Sequence, residues 1–187
     1  MNEIKITTGL NEKDISMLKN IVGEKLIKMR HEKFDVDTTV MCVVELVLDT
    51  STFCIINNLD VIRYYSCPVE DIPSFHIHNG TNPYDMIKLI DDAVEADIEK
   101  ISIVTDTVTA IKKDGAEAFI NTITSGIIFT FLDGHELGFE RYSEFIEGIN
   151  IHKGYNAMGQ FKKPEYWLDG LEEDFDASVE RSINVLE

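Results

Sequence analysis

The middle and the C-terminal part of the chain share the same order of three segments, and such a repeat constrains a fold more tightly than any single motif. In each copy an apolar run with a short turn comes first, an Ile-His-x-Gly-x-Asn motif second and a proline-led acidic amphipathic segment third: residues 44–55, 77–82 and 83–100, then residues 128–139, 151–156 and 164–181. Two unrelated hairpin-and-helix stretches can share apolar spacing by chance. The common order favours an internal duplication over that alternative.

The repeat predicts an α+β fold that is mostly antiparallel β-sheet, with one N-terminal helix and one further helix at the end of each half. The two later helices are predicted from Pro83 and Pro164 onward, because the first turn of a helix tolerates proline. No linker or low-complexity segment separates the halves, 24–100 and 101–187. We therefore expect residues 1–187 to form a single domain, in which the halves share one core and are related by an approximate twofold axis.

The N-terminal helix is predicted for residues 10–22, where apolar side chains recur at helical spacing. Thr8 or Asn11 can cap its N-terminus, since a short polar side chain accepts hydrogen bonds from the first free N–H groups. The helix is predicted to end at Gly23, because the residue that follows a helix often adopts a left-handed conformation.

Strand patterns fill much of the remaining sequence. Residues 38–48 are rich in valine, threonine and leucine, which favour strands. The clearest local pattern covers residues 127–142, where Asp133-Gly134 separates two alternating apolar runs and predicts a β-hairpin. Glu45 interrupts the first apolar run. Strict alternation places its side chain on the face opposite its apolar neighbours, which predicts exposure to solvent.

The chain is strongly acidic, with a formal net charge of −17. Its first 33 residues are an exception, since they hold seven basic and five acidic residues. A field of this sign repels nucleic-acid phosphates and anionic membrane surfaces, so we expect no direct binding to nucleic acid and none to a membrane. The same field steers a basic partner toward the protein. The alternative is that the charge serves solubility alone.

The three cysteines form no Cys-x-x-Cys pair, which argues against a disulfide framework and against a zinc ribbon. No stretch has the apolar length that spans a bilayer, and the first residues lack the apolar segment of a signal peptide. The sequence therefore predicts a cytoplasmic protein and leaves its oligomeric state open.

Three histidines are the candidate metal ligands. His76 and His78 stand two residues apart in a predicted strand, so both side chains leave the same face, and His152 takes the position of His78 in the second copy. Two such imidazoles can bind one metal ion if a third ligand comes from elsewhere. The alternative is that they are half-buried strand residues, because no further metal-binding motif accompanies them.

Common catalytic and cofactor-binding motifs are missing from the sequence, which contains no nucleophile elbow, no phosphate-binding loop and no dinucleotide-binding motif. We therefore expect no cofactor and interpret the chain as a non-enzymatic protein that binds another, basic protein, as an accessory or immunity-type factor does. The predicted contact residues lie on the last acidic helix and are Trp167, Glu172, Glu173, Asp174 and Asp176. The alternative is an enzyme, or a protein that binds a small ligand or metal, with a cleft between the halves lined by His76, His78 and His152.

Overall fold

The computed structural model describes residues 2–33, 38–65, 67–84, 87–171 and 173–187. Within these residues the backbone forms eleven β-strands, one α-helix and two short 3₁₀ helices. The strands are β1 (Asn2–Thr8), β2 (Lys25–His31), β3 (Thr39–Met41), β4 (Val43–Leu48), β5 (Thr52–Tyr64), β6 (Cys67–Asn79), β7 (Ile90–Lys112), β8 (Glu117–Phe131), β9 (Glu136–Arg141), β10 (Gly148–Gly154) and β11 (Phe175–Leu186). The helix α1 spans Glu12–Asn20, and the 3₁₀ helices span Met158–Gln160 and Pro164–Leu168.

The strands form two antiparallel meanders that lie side by side. The first contains β2, β4, β5 and β6 in that order, the second contains β7, β8, β9 and β10, and β2 pairs antiparallel with β7 where they meet. Only Cys42 separates β3 from β4, and β3 pairs with β10, so strand pairing links the far side of the second meander back to the first. β1 pairs parallel with β8, and β11 pairs antiparallel with β7.

The two hairpins of the predicted repeat lie at the centre of the two meanders. Residues 44–55 belong to β4 and β5, and residues 128–139 belong to β8 and β9. Gly134 has a φ of 84° in the second turn, the positive value that the predicted tight turn needs. The predicted boundary between the halves, at residues 100 and 101, falls inside β7.

The N-terminal helix is confirmed as α1. Asn11 is its N-cap, because the Asn11 side chain accepts hydrogen bonds from the backbone N–H groups of Lys13 (2.9 Å) and Asp14 (3.1 Å). The Asp14 carboxylate in turn accepts from the Asn11 backbone N–H (3.2 Å) and from the Ile77 backbone N–H (3.2 Å). This buried carboxylate therefore completes the cap and fixes α1 against β6.

The helix predicted for residues 83–100 is wrong, since residues 90–100 belong to the long strand β7. From Val94 to Ile98 the half-buried or buried residues alternate with exposed acidic ones, which is the period of a strand rather than of a helix. The acidic side chains of this strand pair with basic side chains of β2, as in the contacts of Asp91 with Lys28 (2.5 Å) and with Arg30 (3.0 Å). These cross-strand ion pairs join residues far apart in sequence.

The helix predicted for residues 164–181 is also wrong. Among the described residues of this range only Pro164–Leu168 is helical, as a single 3₁₀ segment, and β11 follows from Phe175. In the first part of β11, half-buried apolar residues such as Ala177 and Val179 alternate with exposed polar residues. The predicted α+β class is therefore wrong as well, because the described chain is mostly antiparallel β-sheet with one α-helix.

The main core lies between the inner faces of the two meanders and under α1. The Phe53 ring of the first meander stacks on the Phe129 ring of the second, with centroids 6.4 Å apart, so both meanders contribute to one core. A second, smaller core forms where β1, β11, β6 and the end of β5 meet β7 and β8. Trp167 is buried in this core, and the Phe175 ring lies 5.7 Å from the Phe119 ring.

The described residues include no helix with the length and apolar composition that crossing a membrane requires.

Candidate protein-binding surface

The three predicted metal-binding histidines lie on two different strands and have different partners. His76 pairs with Asp60 (Nε2–Oδ2 3.2 Å) and His152 pairs with Glu140 (Nε2–Oε2 3.0 Å), while His78 is exposed on β6. Among the residues that the structure describes, no three His, Cys, Asp or Glu side chains form a group that could hold a metal ion. The structure therefore does not bring the three imidazoles to one centre.

His152 is part of a packed polar cluster on β9 and β10. The Glu140 carboxylate accepts hydrogen bonds from His152, from the Lys162 backbone N–H (2.5 Å) and from the Asn150 side chain (3.2 Å). Burial alone would raise the pKa of Glu140, but these hydrogen bonds and the nearby Lys162 charge hold it below its usual value. The His152 ring also lies 5.3 Å from the Phe161 ring. This cluster fastens the segment after β10 onto the sheet.

The predicted partner-binding residues are divided between the interior and the surface. Trp167 is buried, and its indole N–H donates to the Asp106 carboxylate (2.8 Å). Glu173, Asp174 and Asp176 are exposed, whereas Glu172 lies outside the described residues. The acidic side chains are therefore available to a partner, and the indole is not.

A cluster of exposed apolar side chains lies beside Trp167, and we call it the aromatic surface. Tyr142, Phe145 and Ile146 come from the connection between β9 and β10, and Tyr166 comes from the second 3₁₀ helix. Phe145 is 60% exposed and Ile146 46% exposed. The Lys162 ammonium connects the two tyrosines, since it lies 5.4 Å from the Tyr142 ring centroid and 4.9 Å from that of Tyr166.

Met41 lies next to Gly148, the residue on which Tyr142 packs. Met41 of β3 is 42% exposed and is the register partner of Gly148 at the start of β10. A Cβ added to Gly148 would lie 2.8 Å from the Tyr142 Cβ, so Tyr142 packs directly over this glycine. Glycine at position 148 therefore lets Tyr142 pack closely over β10 on the face that also carries Met41.

Buried Arg141 holds the connection that carries the aromatic surface. Its guanidinium donates to the carbonyl oxygens of Ser143 (3.1 Å) and Glu144 (3.0 Å) and to the Thr8 hydroxyl (3.3 Å). It also lies 5.3 Å from the centroid of the Trp167 ring. Burial lowers the pKa of Arg141 to about 10, so the side chain stays charged at neutral pH. The connection is thus tied to the protein interior by its backbone, while its aromatic side chains point outward.

A cavity of about 270 Å³ opens next to Phe145, lined by Ser143, Glu144, Phe145, Tyr166, Asp169 and Gly170. One oxygen of the Glu144 carboxylate accepts a hydrogen bond from the Tyr64 hydroxyl. Burial raises the pKa of Glu144, and the negative charge of Asp169 adds to that rise, while Tyr64 and Arg141 oppose it. The cavity therefore combines two neighbouring carboxylates with two aromatic rings.

Sequence reasoning missed the connection between β9 and β10. The hairpin pattern ends at Tyr142, and it predicts nothing for residues 143–147. One pattern was available: Phe145 and Ile146 are large apolar residues between two glutamates, in a stretch with no strand or helix periodicity. Apolar side chains in such a stretch are either packed inward or exposed for binding.

Comparison with known proteins adds no relative to this description. No family model matches the chain, no curated protein matches it, and no solved structure matches it.

Proposed function

We propose that the protein is a non-enzymatic binding protein that captures a basic protein partner through the aromatic surface. The observation that carries this proposal is the cluster of exposed aromatic and aliphatic side chains on a backbone fixed by Arg141. An accessory or immunity-type factor, which blocks its partner by covering it, needs such a preformed surface and no catalytic group.

The composition of the aromatic surface supports a protein partner. Tyrosine, phenylalanine and methionine are enriched in protein interfaces, where a few such side chains supply most of the binding energy. A contiguous exposed apolar patch with polar residues around it is typical of an interaction site. Carboxylates provide those polar residues here, since Glu144 and Asp169 line the cavity inside the patch.

The net charge of −17 supports a basic partner. Charge complementarity raises the rate at which partners meet, and apolar anchors determine how long they stay together. In this proposal the exposed carboxylates, among them Glu173, Asp174 and Asp176, attract the partner. The aromatic surface then holds it.

The cytoplasm is the proposed location, with support from the cysteines. Cys42 and Cys54 are free thiols. Burial raises the pKa of Cys42 to about 11 and that of Cys54 to about 12, so both stay protonated at neutral pH and react slowly with oxidants. Neither of these two thiols is joined in a disulfide, and unpaired cysteines are usual in a reducing compartment.

The test is capture of partners on immobilised protein with a matched pair of variants. Phe145→Ala combined with Tyr166→Ala removes two anchors. Val61→Ala combined with Leu132→Ala is the control, because it removes two apolar side chains that are more exposed and lie elsewhere, on β5 and in the β8–β9 turn. We expect a basic protein that wild type and the control variant retain and the anchor variant loses. With the purified partner, the anchor variant should raise Kd by about tenfold or more, or about 1.4 kcal/mol. Retention of the same proteins by all three forms would contradict the proposal.

A second candidate function is binding of a small ligand, favoured by a cavity of about 300 Å³ between residues 93–96 of β7 and the β8–β9 turn. Val94, Phe131 and Leu137 provide its apolar lining, and His135 lies at its rim. A ligand found by thermal-shift screening should raise Tm in wild type and lose that effect in Ala93→Phe, which narrows this cavity. A Tm rise that survives the substitution would place the ligand elsewhere.

A further inference from the structure

The residues that line the cavity next to Phe145 indicate which side chain of the partner binds there. This inference rests on the proposed function. We propose that the cavity takes an arginine side chain of the partner, with the guanidinium between Glu144 and Asp169 and against the rings of Phe145 and Tyr166.

The two carboxylates have acceptor capacity to spare. One Glu144 oxygen accepts from Tyr64, and the other makes no hydrogen bond to any residue that the structure describes. The Asp169 side chain forms neither a hydrogen bond nor an ion pair within the described chain. Burial is the main cause of the raised pKa of Glu144, and repulsion from the negative charge of Asp169 adds to it. A cation placed between them would relieve that repulsion and fill the free acceptor positions.

The protein's own nearby cations do not fill these positions. Arg141 directs its guanidinium to the carbonyl oxygens of Ser143 and Glu144 and to Thr8. Lys162 donates to the carbonyl oxygens of Arg141 and Tyr142. Both cations are thus committed to the backbone of the connection between β9 and β10, and the carboxylates remain open to an external cation.

The walls of the cavity favour arginine over lysine. A guanidinium is planar, stacks on aromatic rings and offers five donors in a fork that matches carboxylates, whereas an ammonium is a compact and strongly hydrated point charge. Phe145 and Tyr166 provide rings, and Glu144 and Asp169 provide acceptors on the same cavity. At about 270 Å³ the cavity is many times the roughly 30 Å³ that one water occupies, so it has room for a long side chain.

The experiment uses three synthetic peptides of one length, in which glycine alternates with arginine, with lysine or with citrulline. Citrulline keeps the shape of arginine and lacks its charge. Binding to the full chain is measured by calorimetry and by NMR shifts at low salt. We expect the arginine peptide to bind at least fivefold more tightly than the lysine peptide and the citrulline peptide not to bind measurably.

Variants then locate the binding. Asp169→Asn and Glu144→Gln should each weaken the arginine peptide at least fivefold. Asp49→Asn, which removes the same charge from an exposed position in the β4–β5 turn, should change it less than twofold. Equal losses in Asp169→Asn and Asp49→Asn, equal affinity for arginine and lysine peptides, or no arginine-peptide binding would each overturn the arginine assignment. The proposed function is decided separately by the capture experiment with the Phe145 and Tyr166 variants, so the two can fail independently.

Discussion

Single buried carboxylates organise this protein at several points. Asp106 is fully buried in the middle of β7, where it accepts hydrogen bonds from Trp167 (2.8 Å) and from two nitrogens of Arg181 (both 2.7 Å). It thereby joins β7 to β11 and to the second 3₁₀ helix. A buried charge with this many donors is held by its partners, and removing one partner leaves it uncompensated.

Arg181→Ala should therefore destabilise the fold by about 3–5 kcal/mol, the usual cost of leaving a buried charge without its ion-pair partner. Arg63→Ala is the matched control. Arg63 pairs with Glu117 at 3.4 Å while being about half exposed, and exposed pairs contribute about 0–1 kcal/mol. Urea unfolding of both variants provides the measurement. Similar losses in the two variants would show that Asp106 does not depend on Arg181.

Glu144→Gln should stabilise the protein at neutral pH and leave it unchanged in acid. Burial raises the pKa of Glu144 in the folded state, so its ionisation disfavours folding as pH rises above the value of about 4.3 expected in the unfolded chain. Glutamine keeps the acceptor for Tyr64 without the charge. Melting temperatures from pH 3.5 to 7.5 should coincide with wild type at the acid end and exceed it at neutral pH. Exposed Glu173→Gln is the control, with no such divergence expected.

Glu45 shows where the sequence was insufficient at this scale. Alternation correctly placed the Glu45 side chain on the face opposite the core. The prediction of solvent exposure also required that no other part of the chain cover that face. The structure covers that face: Glu45 is 1% exposed and accepts from Arg30 (2.5 Å) and from the Asn82 backbone N–H (2.6 Å). The covering segment comes almost forty residues later, so local periodicity could not reveal it.

At the scale of elements, the N-cap at Asn11 and the Asp133-Gly134 turn were predictable because each depends on a few neighbouring residues. The last two helices were predicted from leading prolines and apolar spacing, yet β7 and β11 alternate with period two. That alternation was visible in the sequence. Local sequence does not show which strand lies beside which. The acidic side chains of β7 form ion pairs with β2, and Arg181 of β11 donates to Asp106 of β7.

The segment after β10 packs on a glycine-lined face of the second meander. A Cβ added to Gly138 would lie 2.9 Å from the Ala157 Cβ and 3.1 Å from the Phe161 ring, so Gly138→Ala should cost about 1–3 kcal/mol through overpacking. Phe161→Ala should cost about 3–5 kcal/mol as a truncation in a packed site. The double variant should lose less than the sum, since removing the ring relieves part of the clash. Strict additivity in denaturant unfolding would show that Gly138 does not contact Phe161.

For the whole molecule, the distribution of charge matters more than its total. The basic residues of β2 face the acidic residues of β7, as in the pair of Lys25 with Glu95 (2.6 Å), so these charges largely cancel inside the sheet. The excess negative charge therefore lies elsewhere, including the exposed stretch of Glu173, Asp174 and Asp176 before and within β11. Lys112 and Lys113 line the same surface pocket as Glu173 and Asp174 and balance part of this charge, but Lys112 also pairs with Glu117 (2.6 Å). A partner approaching that side therefore meets a field that is only partly balanced.

Reversal of Glu173, Asp174 and Asp176 to lysine should slow association with the basic partner retained in the capture experiment and should leave dissociation within about twofold of wild type. Exposed charges act mainly on the encounter rate and contribute little to stability, so the melting temperature should change little. Raising salt from 0.05 to 0.5 M should slow wild-type association steeply, because the Debye length is already only about 10 Å at 0.1 M, and should affect the variant less.

Phe145→Ala should do the opposite, with about tenfold faster dissociation and nearly unchanged association. Stopped-flow kinetics separate the two rates. If the reversal leaves the association rate and its salt dependence as in wild type, the acidic charge serves solubility, and the aromatic surface alone selects the partner.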